Sequence, residues 1–167
     1  MSGRAAGRVL SRAAAVREVA QAKRRGLRVV FTSGCFDLLH VGHLRSLEEA
    51  RSLGDLLVVG VNADATVRKL KGAGRPIVPA RRRAELVAGL HCVHWALIFS
   101  GATPRATIAA LRPDVFAKGG DWPLAVLRAN DLPENFGGVL HRLRQVPGAR
   151  SSALVQRIRQ RAGRRSG

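Results

Sequence analysis

Two cysteines, one methionine, no tyrosine and eleven acidic residues are what this chain of 167 residues has least of. Each scarcity narrows the reading. Cys35 and Cys92 are too few for a disulfide framework, and neither stands in a CxxC or other metal-ligand spacing, so a reduced compartment fits. Aromatic residues make up 4% of the chain, which argues against a surface for stacking nucleobases. Apolar runs such as Leu56-Leu57-Val58-Val59-Gly60-Val61 are strand-sized, far from the roughly 20 residues a membrane helix needs. The Arg- and Ala-rich N-terminus has no apolar block followed by a cleavage site, so a secretory leader is not indicated and a cytoplasmic, soluble protein is expected.

The shortage of acid leaves a formal charge of +18. Its distribution decides its meaning. Residues 1–28 hold eight Arg/Lys against Glu18, and residues 150–167 hold six Arg and no acid, leaving 15 basic against 10 acidic residues between them. Most of the excess therefore sits at the ends, where weak, salt-sensitive polyanion binding is the alternative reading. Only four of the 29 basic residues are Lys, a bias that a GC-rich genome produces without any partner.

With 46% hydrophobic residues, the length suits one domain with one core. A helix is expected from Ser11 to about Arg25, closed by Gly26, and then a buried strand over Leu27–Thr32. The next helix runs from about His43, with Leu44, Leu47 and Ala50 spaced by three on one face. Strands at Leu56–Val61, Val93–Phe99, Asp114–Lys118 and Val139–Leu143 alternate with helices at Arg81–Leu90 and after Pro104, with Thr103 as cap. A last helix covers Ser151–Arg161. This alternation predicts an α/β class, a single Rossmann-like domain whose mostly parallel sheet of about five strands is covered on both faces. The expected domain spans residues 11–161, between basic tails at 1–10 and 162–167. Ligands of such sheets bind beyond the carboxyl ends of the strands, which singles out the loops 34–42, 62–79, 100–104 and 119–127.

The first of these loops carries Gly34-Cys35-Phe36-Asp37-Leu38-Leu39-His40-Val41-Gly42-His43 between a strand and a helix. Gly34 permits a sharp turn with exposed backbone N–H groups, and Gly42 leaves a helix start open to an anion. His40 and His43, three apart, can face one phosphoryl group and donate to it as charge builds there. The plainer alternative has His40 capping the helix and His43 packed in the core. A zinc site lacks a third ligand nearby.

The decapeptide matches the pattern GxFDxxHxGH and resembles the HxGH nucleotidyltransferase superfamily. Further segments follow in order: Val61-Asn62-Ala63-Asp64, Arg68-Lys69-Leu70-Lys71-Gly72, Arg75-Pro76-Ile77-Val78-Pro79, Arg83, and Lys118-Gly119-Gly120-Asp121-Trp122. Over about residues 10–160 this succession resembles the bacterial D-glycero-β-D-manno-heptose 1-phosphate adenylyltransferases, in a form without the kinase module found in many relatives. Ser33 and His94 depart from that pattern, where Asn and Asp are usual.

The resemblance implies AMP transfer from ATP to a sugar 1-phosphate, with His40, His43 and Lys71 catalytic. It implies nucleotide contacts from Thr32, Ser33, Gly34, Cys35, Phe36, Gly42, Asp64 and Arg83, and from the last helix start at Gly148, Ser151 and Ser152, where Arg150 replaces a usual Ser. Asp37, Arg75, Lys118, Gly119, Gly120, Asp121 and Trp122 are implied on the sugar-phosphate side. Mg²⁺ is expected with ATP, Asp37 being a possible ligand, and a homo-oligomer, a dimer, is expected. The rivals are a cytidylyltransferase acting on a phospho-alcohol such as glycerol 3-phosphate, and a polyanion-binding protein with a degenerate enzyme core. Nucleic acid is not the expected partner.

Overall fold

A computed structural model describes residues 7–120, 122–149 and 151–163. Six parallel strands among these residues form one sheet: β1 (Arg8–Val9), β2 (Val29–Gly34), β3 (Leu56–Asn62), β4 (Trp95–Phe99), β5 (Val115–Gly119) and β6 (Val139–Leu143). The spatial order is β1-β4-β3-β2-β5-β6, so the chain winds outward from β2 first one way and then the other. The reversal lies between β2 and β5, where Thr32 pairs with Ala117. A doubly wound sheet leaves its crevice at such a point, because the loops leaving the two central strands diverge.

Alternation along the strands explains the two layers. Val29 and Phe31 on β2 and Val58 on β3 enter one buried cluster with Ala15, Val19 and Ile108. Val30, Leu57, Val59 and Val61 enter the other, with Leu47, Ala50, Ala84 and Val87. Side chains two apart share a face, so these near-continuous apolar runs feed both layers, as a sheet covered twice requires. At Gly60 the missing side chain admits Phe31, whose Cζ would lie 2.8 Å from any added Cβ.

Among the described residues seven helices surround the sheet: α1 (Arg12–Arg24), α2 (Val41–Ser52), α3 (Asp64–Lys71), α4 (Ala80–Ala88), α5 (Arg105–Leu111), α6 (Leu124–Asp131) and α7 (Ser151–Gly163). Ser11 caps α1, its Oγ accepting from Ala14 N–H at 3.2 Å.

The expected α/β class and parallel sheet hold, with six strands instead of five. The extra strand comes from the segment read as a basic tail. Arg8 and Val9 pair with Trp95 and Ala96, a bond between distant segments that a two-residue strand cannot announce in its own sequence. Two further helices, α3 within the loop expected at 62–79 and α6 running on from the one expected at 119–127, have eight residues each, too short for a periodic signal. Thr103 does not cap α5, since Pro104 occupies the N-cap position without a side-chain bond. No helix among the described residues is long and apolar enough to cross a membrane.

Candidate active site at the sheet reversal

A cleft of about 650 Å³ opens at the carboxyl ends of β2 and β5. Its floor is Thr32, Ser33 and Gly34 from β2 and Gly119 and Gly120 from β5. The loop into α2 supplies Cys35, Phe36, His40, Gly42 and His43, while Lys71 and Arg75 come from the end of α3 and the segment after it. Ser151 and Ser152 at the start of α7 complete the side nearest α2.

The histidines are held as a pair. Their ring centroids are 3.9 Å apart at 22°, and the Phe36 ring lies 5.4 Å from that of His43. His40 occupies the N-cap of α2, yet its ring makes no cap bond. Only its carbonyl serves the helix, accepting from His43 N–H at 2.9 Å. The start of α2 thus offers an uncapped helix end beside two imidazoles, a place where backbone donors and dipole favour an anion. The Nδ1 atoms of both rings are buried without a partner, the cost of which a bound acceptor would remove. Burial, and then the charge of Lys71, lowers the pKa of His40. For His43, burial comes first, then His40 and Lys71, and against the opposing pull of Asp37 they bring it down to about 4.

A sign follows for stability. Between pH 6.5, the ordinary value, and about 4, the unfolded chain binds a proton at His43 that the folded chain refuses, so stability falls as pH drops through that window and levels off below it. Melting temperatures measured from pH 7 to 4 should show this decline, and His43→Gln should flatten part of it.

Gly42, which lines the cleft at the helix start, also answers a packing need. A Cβ there would stand 2.8 Å from Ala149 Cβ and 3.0 Å from both Ala149 O and His40 Cε1. The room is taken by the loop before α7 and by the His40 ring, so Gly42 lets those pieces close on the helix start. Gly42→Ala should displace both, lowering turnover and costing about 1–3 kcal/mol of stability, as urea unfolding and steady-state assays would register.

Several expected ligands do not reach the cleft. Arg83 is wholly buried. Its Nε donates to Val78 O at 2.7 Å, Nη1 to Cys35 O, and Nη2 to Asn62 O at 2.8 Å and Asp64 Oδ1 at 2.7 Å. Those bonds leave no free fork for a nucleotide phosphate. Asp64 is likewise engaged, accepting from Arg83 and from Ala80 N–H at 2.9 Å. Both residues brace the loops, and Arg83 has no nitrogen left for a ligand.

Asp37 is buried too, its carboxylate accepting from Arg75 Nε at 2.5 Å and from the N–H groups of Ile77 and Val78. Burial alone would raise its pKa, but those N–H groups and the Arg75 guanidinium outweigh it and leave the value below the ordinary one. So occupied, Asp37 does not fit the role of metal ligand, and no cluster of three His, Cys, Asp or Glu suited to a metal exists among the described residues. Lys118 donates to Ser33 Oγ at 3.2 Å and pairs with Asp131 at 3.4 Å, supporting the floor from behind. Trp122 is 58% exposed, and Gly148 forms a left-handed turn before α7. Lys118, Trp122 and Gly148 do not line the cleft. Asp121 and Arg150 lie outside the described residues. The loop at residues 100–104 borders a separate hollow.

The cleft also includes Ser46, Leu143, Gln145, Val146 and Ala149, none of which was singled out. Ser46 was findable, three residues after His43 on the same helix face. The others arrive from β6 and the loop behind it, with no local signal.

Fold and site together define an α/β nucleotidyltransferase of the HxGH type, with paired imidazoles at a bare helix start. The family model described as cytidylyltransferase-like matches residues 31–158, and the chain belongs to that family. It is 46% identical to the bifunctional protein HldE of Syntrophotalea carbinolica over 136 residues, covering 81% of this chain and 28% of the relative. With the bifunctional protein HldE of Alkalilimnicola ehrlichii the identity is 45% over 150 residues, 90% of this chain and 31% of the relative. The chain thus spans less than a third of these relatives' length. A crystal structure of the lipopolysaccharide core biosynthesis protein from Thermoplasma volcanium is similar, with a TM-score of 0.61 and 28% identity, over 72% of this chain and 99% of that one.

Proposed function

We propose that this chain transfers AMP from ATP, entering as its Mg²⁺ complex, to D-glycero-β-D-manno-heptose 1-phosphate, giving ADP-heptose and pyrophosphate. The observation that carries the reading is the stacked pair His40–His43 at the uncapped start of α2, in a cleft that also holds Lys71 and Arg75. An oxygen of the sugar phosphate attacks the α-phosphorus in line, a new P–O bond forms, and the bond to the β-phosphate oxygen breaks. The acceptor's second pKa is about 6, so near neutral pH the attacking oxygen is already an anion and no protein base is required. The chain's work is then positioning and charge stabilisation. Lys71 holds phosphate oxygens as a point charge, the helix start receives the triphosphate, and the imidazoles donate to the phosphoryl oxygens as charge grows.

The identity to bifunctional proteins named HldE and the segment Lys118-Gly119-Gly120 support the heptose phosphate over other acceptors. Pyrophosphate release measured with each nucleoside triphosphate against a panel of sugar phosphates and glycerol 3-phosphate tests it. Turnover with ATP and the heptose phosphate is the expected result, and turnover confined to CTP and a phospho-alcohol would replace it. A homodimer belongs to the same proposal and is checked by sedimentation equilibrium.

A further inference from the structure

We infer that Asp37 is a positioning residue that aims the guanidinium of Arg75 at the phosphate monoester of the acceptor, an assignment that rests on the nucleotidyl transfer proposed above. Asp37 cannot touch substrate itself, being fully buried. It sits between Phe36 and Leu38, both left-handed with φ of 49° and 57°. Non-glycine residues in that region cost about 1–3 kcal/mol each and persist only where the surroundings hold them. What this turn accomplishes is visible in the bonds. The Asp37 carboxylate faces inward and latches the segment after α3 at three points, Arg75 Nε at 2.5 Å, Ile77 N–H at 3.0 Å and Val78 N–H at 3.0 Å.

Arg75 is thereby held by one edge of its guanidinium. It lines the cleft although its side chain is only 11% exposed, and its Nη2 is buried without a partner. Among the described residues four buried side-chain atoms lack a partner, and three of them belong to this cleft: His40 Nδ1, His43 Nδ1 and Arg75 Nη2. Arg83 shows the contrast, each of its three nitrogens engaged by protein oxygens. A buried, unpaired donor on a pre-oriented guanidinium is a site prepared for a planar, multi-oxygen anion.

Charge selects the acceptor's phosphate over the triphosphate. In the proposed reaction the helix start, the imidazoles and Lys71 serve the nucleotide's phosphates. The attacking phosphate has a different need, because a full extra cation would stabilise the nucleophile in its ground state as much as in the transition state and gain nothing in rate. Arg75, its charge offset by Asp37 at 2.5 Å, supplies directed N–H groups with little net charge.

The test uses the full chain, with initial rates at varied heptose phosphate and varied ATP. Losing one charge-assisted hydrogen bond corresponds to about 10- to 100-fold in binding, so Arg75→Ala and Asp37→Asn should each raise KM for the sugar phosphate at least about tenfold while changing KM for ATP about twofold at most. Because Asp37 acts through Arg75, adding Asp37→Asn to Arg75→Ala should raise that KM no further. A rise in KM for ATP alone, or an additive double variant, overturns the assignment. If Asp37→Asn does not fold, Asp37→Glu, which displaces the guanidinium while keeping the charge, stands in under the same criteria. Should the wild type turn over no sugar phosphate, the proposed function fails first. The phosphate site is then read by calorimetry with inorganic phosphate, the nucleotide half being filled by a non-hydrolysable ATP analogue. Weaker binding by at least about tenfold in Arg75→Ala sustains the site, and equal affinity removes it.

Discussion

His40→Ala and His43→Ala should each lower kcat by about a hundredfold or more, the loss typical when one preorganised transition-state donor is removed. The rings are stacked at 3.9 Å with the Nδ1 of each unpaired, so neither is spent on the fold's own hydrogen bonds. Both pKa values lie below the ordinary one, and a neutral imidazole carries one N–H donor. The pair therefore offers one directed donor each at a place where two full positive charges so close together would repel. As negative charge builds on the phosphoryl oxygens, these donors strengthen without any rearrangement. Losing an interaction made only in the transition state lowers kcat and kcat/KM together, so KM for ATP should move far less than kcat. Since both rings serve one group, the double variant should be well short of the product of the two single losses. Circular dichroism must show intact folding in each. Near-normal turnover in both single variants would sink the mechanism.

Arg83→Ala should destabilise the chain by about 3–5 kcal/mol, the range seen when removal of one partner leaves buried polar groups unpaired. Removing the guanidinium strands the carbonyls of Val78, Cys35 and Asn62, and leaves Asp64 without its cation. These oxygens lie in segments that converge from three directions, after β2, at the end of β3 and before α4, so the loss is felt where the cleft wall is assembled. For a chain of this size each kcal/mol corresponds to about 2–4 °C, which places the expected drop in Tm at about 6–20 °C. Arg83→Lys should recover little of it, because one ammonium cannot span the fork that three carbonyls and a carboxylate occupy. A melting temperature within a degree or two of wild type for Arg83→Ala would show that these oxygens find other donors.

The two predictions concern residues that looked alike in the sequence, both being polar members of a phosphate-binding pattern. The histidines could be placed because three residues on a strand–loop–helix bring two side chains to one helix start, and that is local geometry. Arg83 could not. Nothing in Ala80-Arg81-Arg82-Arg83-Ala84 tells which arginine faces inward until α4 packs on β3 and β4 with Ala84 and Val87 in the core, turning Arg83 inward while Arg81 and Arg82 stay exposed.

The same division runs through the rest of the molecule. Patterns of short range were legible: the apolar stretches of β2 to β5, the start of a helix at Ser11, the α/β alternation and the loops at the carboxyl ends of the strands, where the cleft opens. What the chain concealed depended on partners far away in sequence. Strand β1 exists only because β4 offers an open edge 87 residues later, at Trp95 opposite Arg8. Ala149 fills the space over Gly42, and Asp37 faces inward to hold Arg75. The sequence determines which chemistry is available, since residue types and local spacing decide backbone conformation and donor inventory. Only tertiary packing decides which of those donors stay free to meet a ligand, because burial and long-range hydrogen bonds consume the others first.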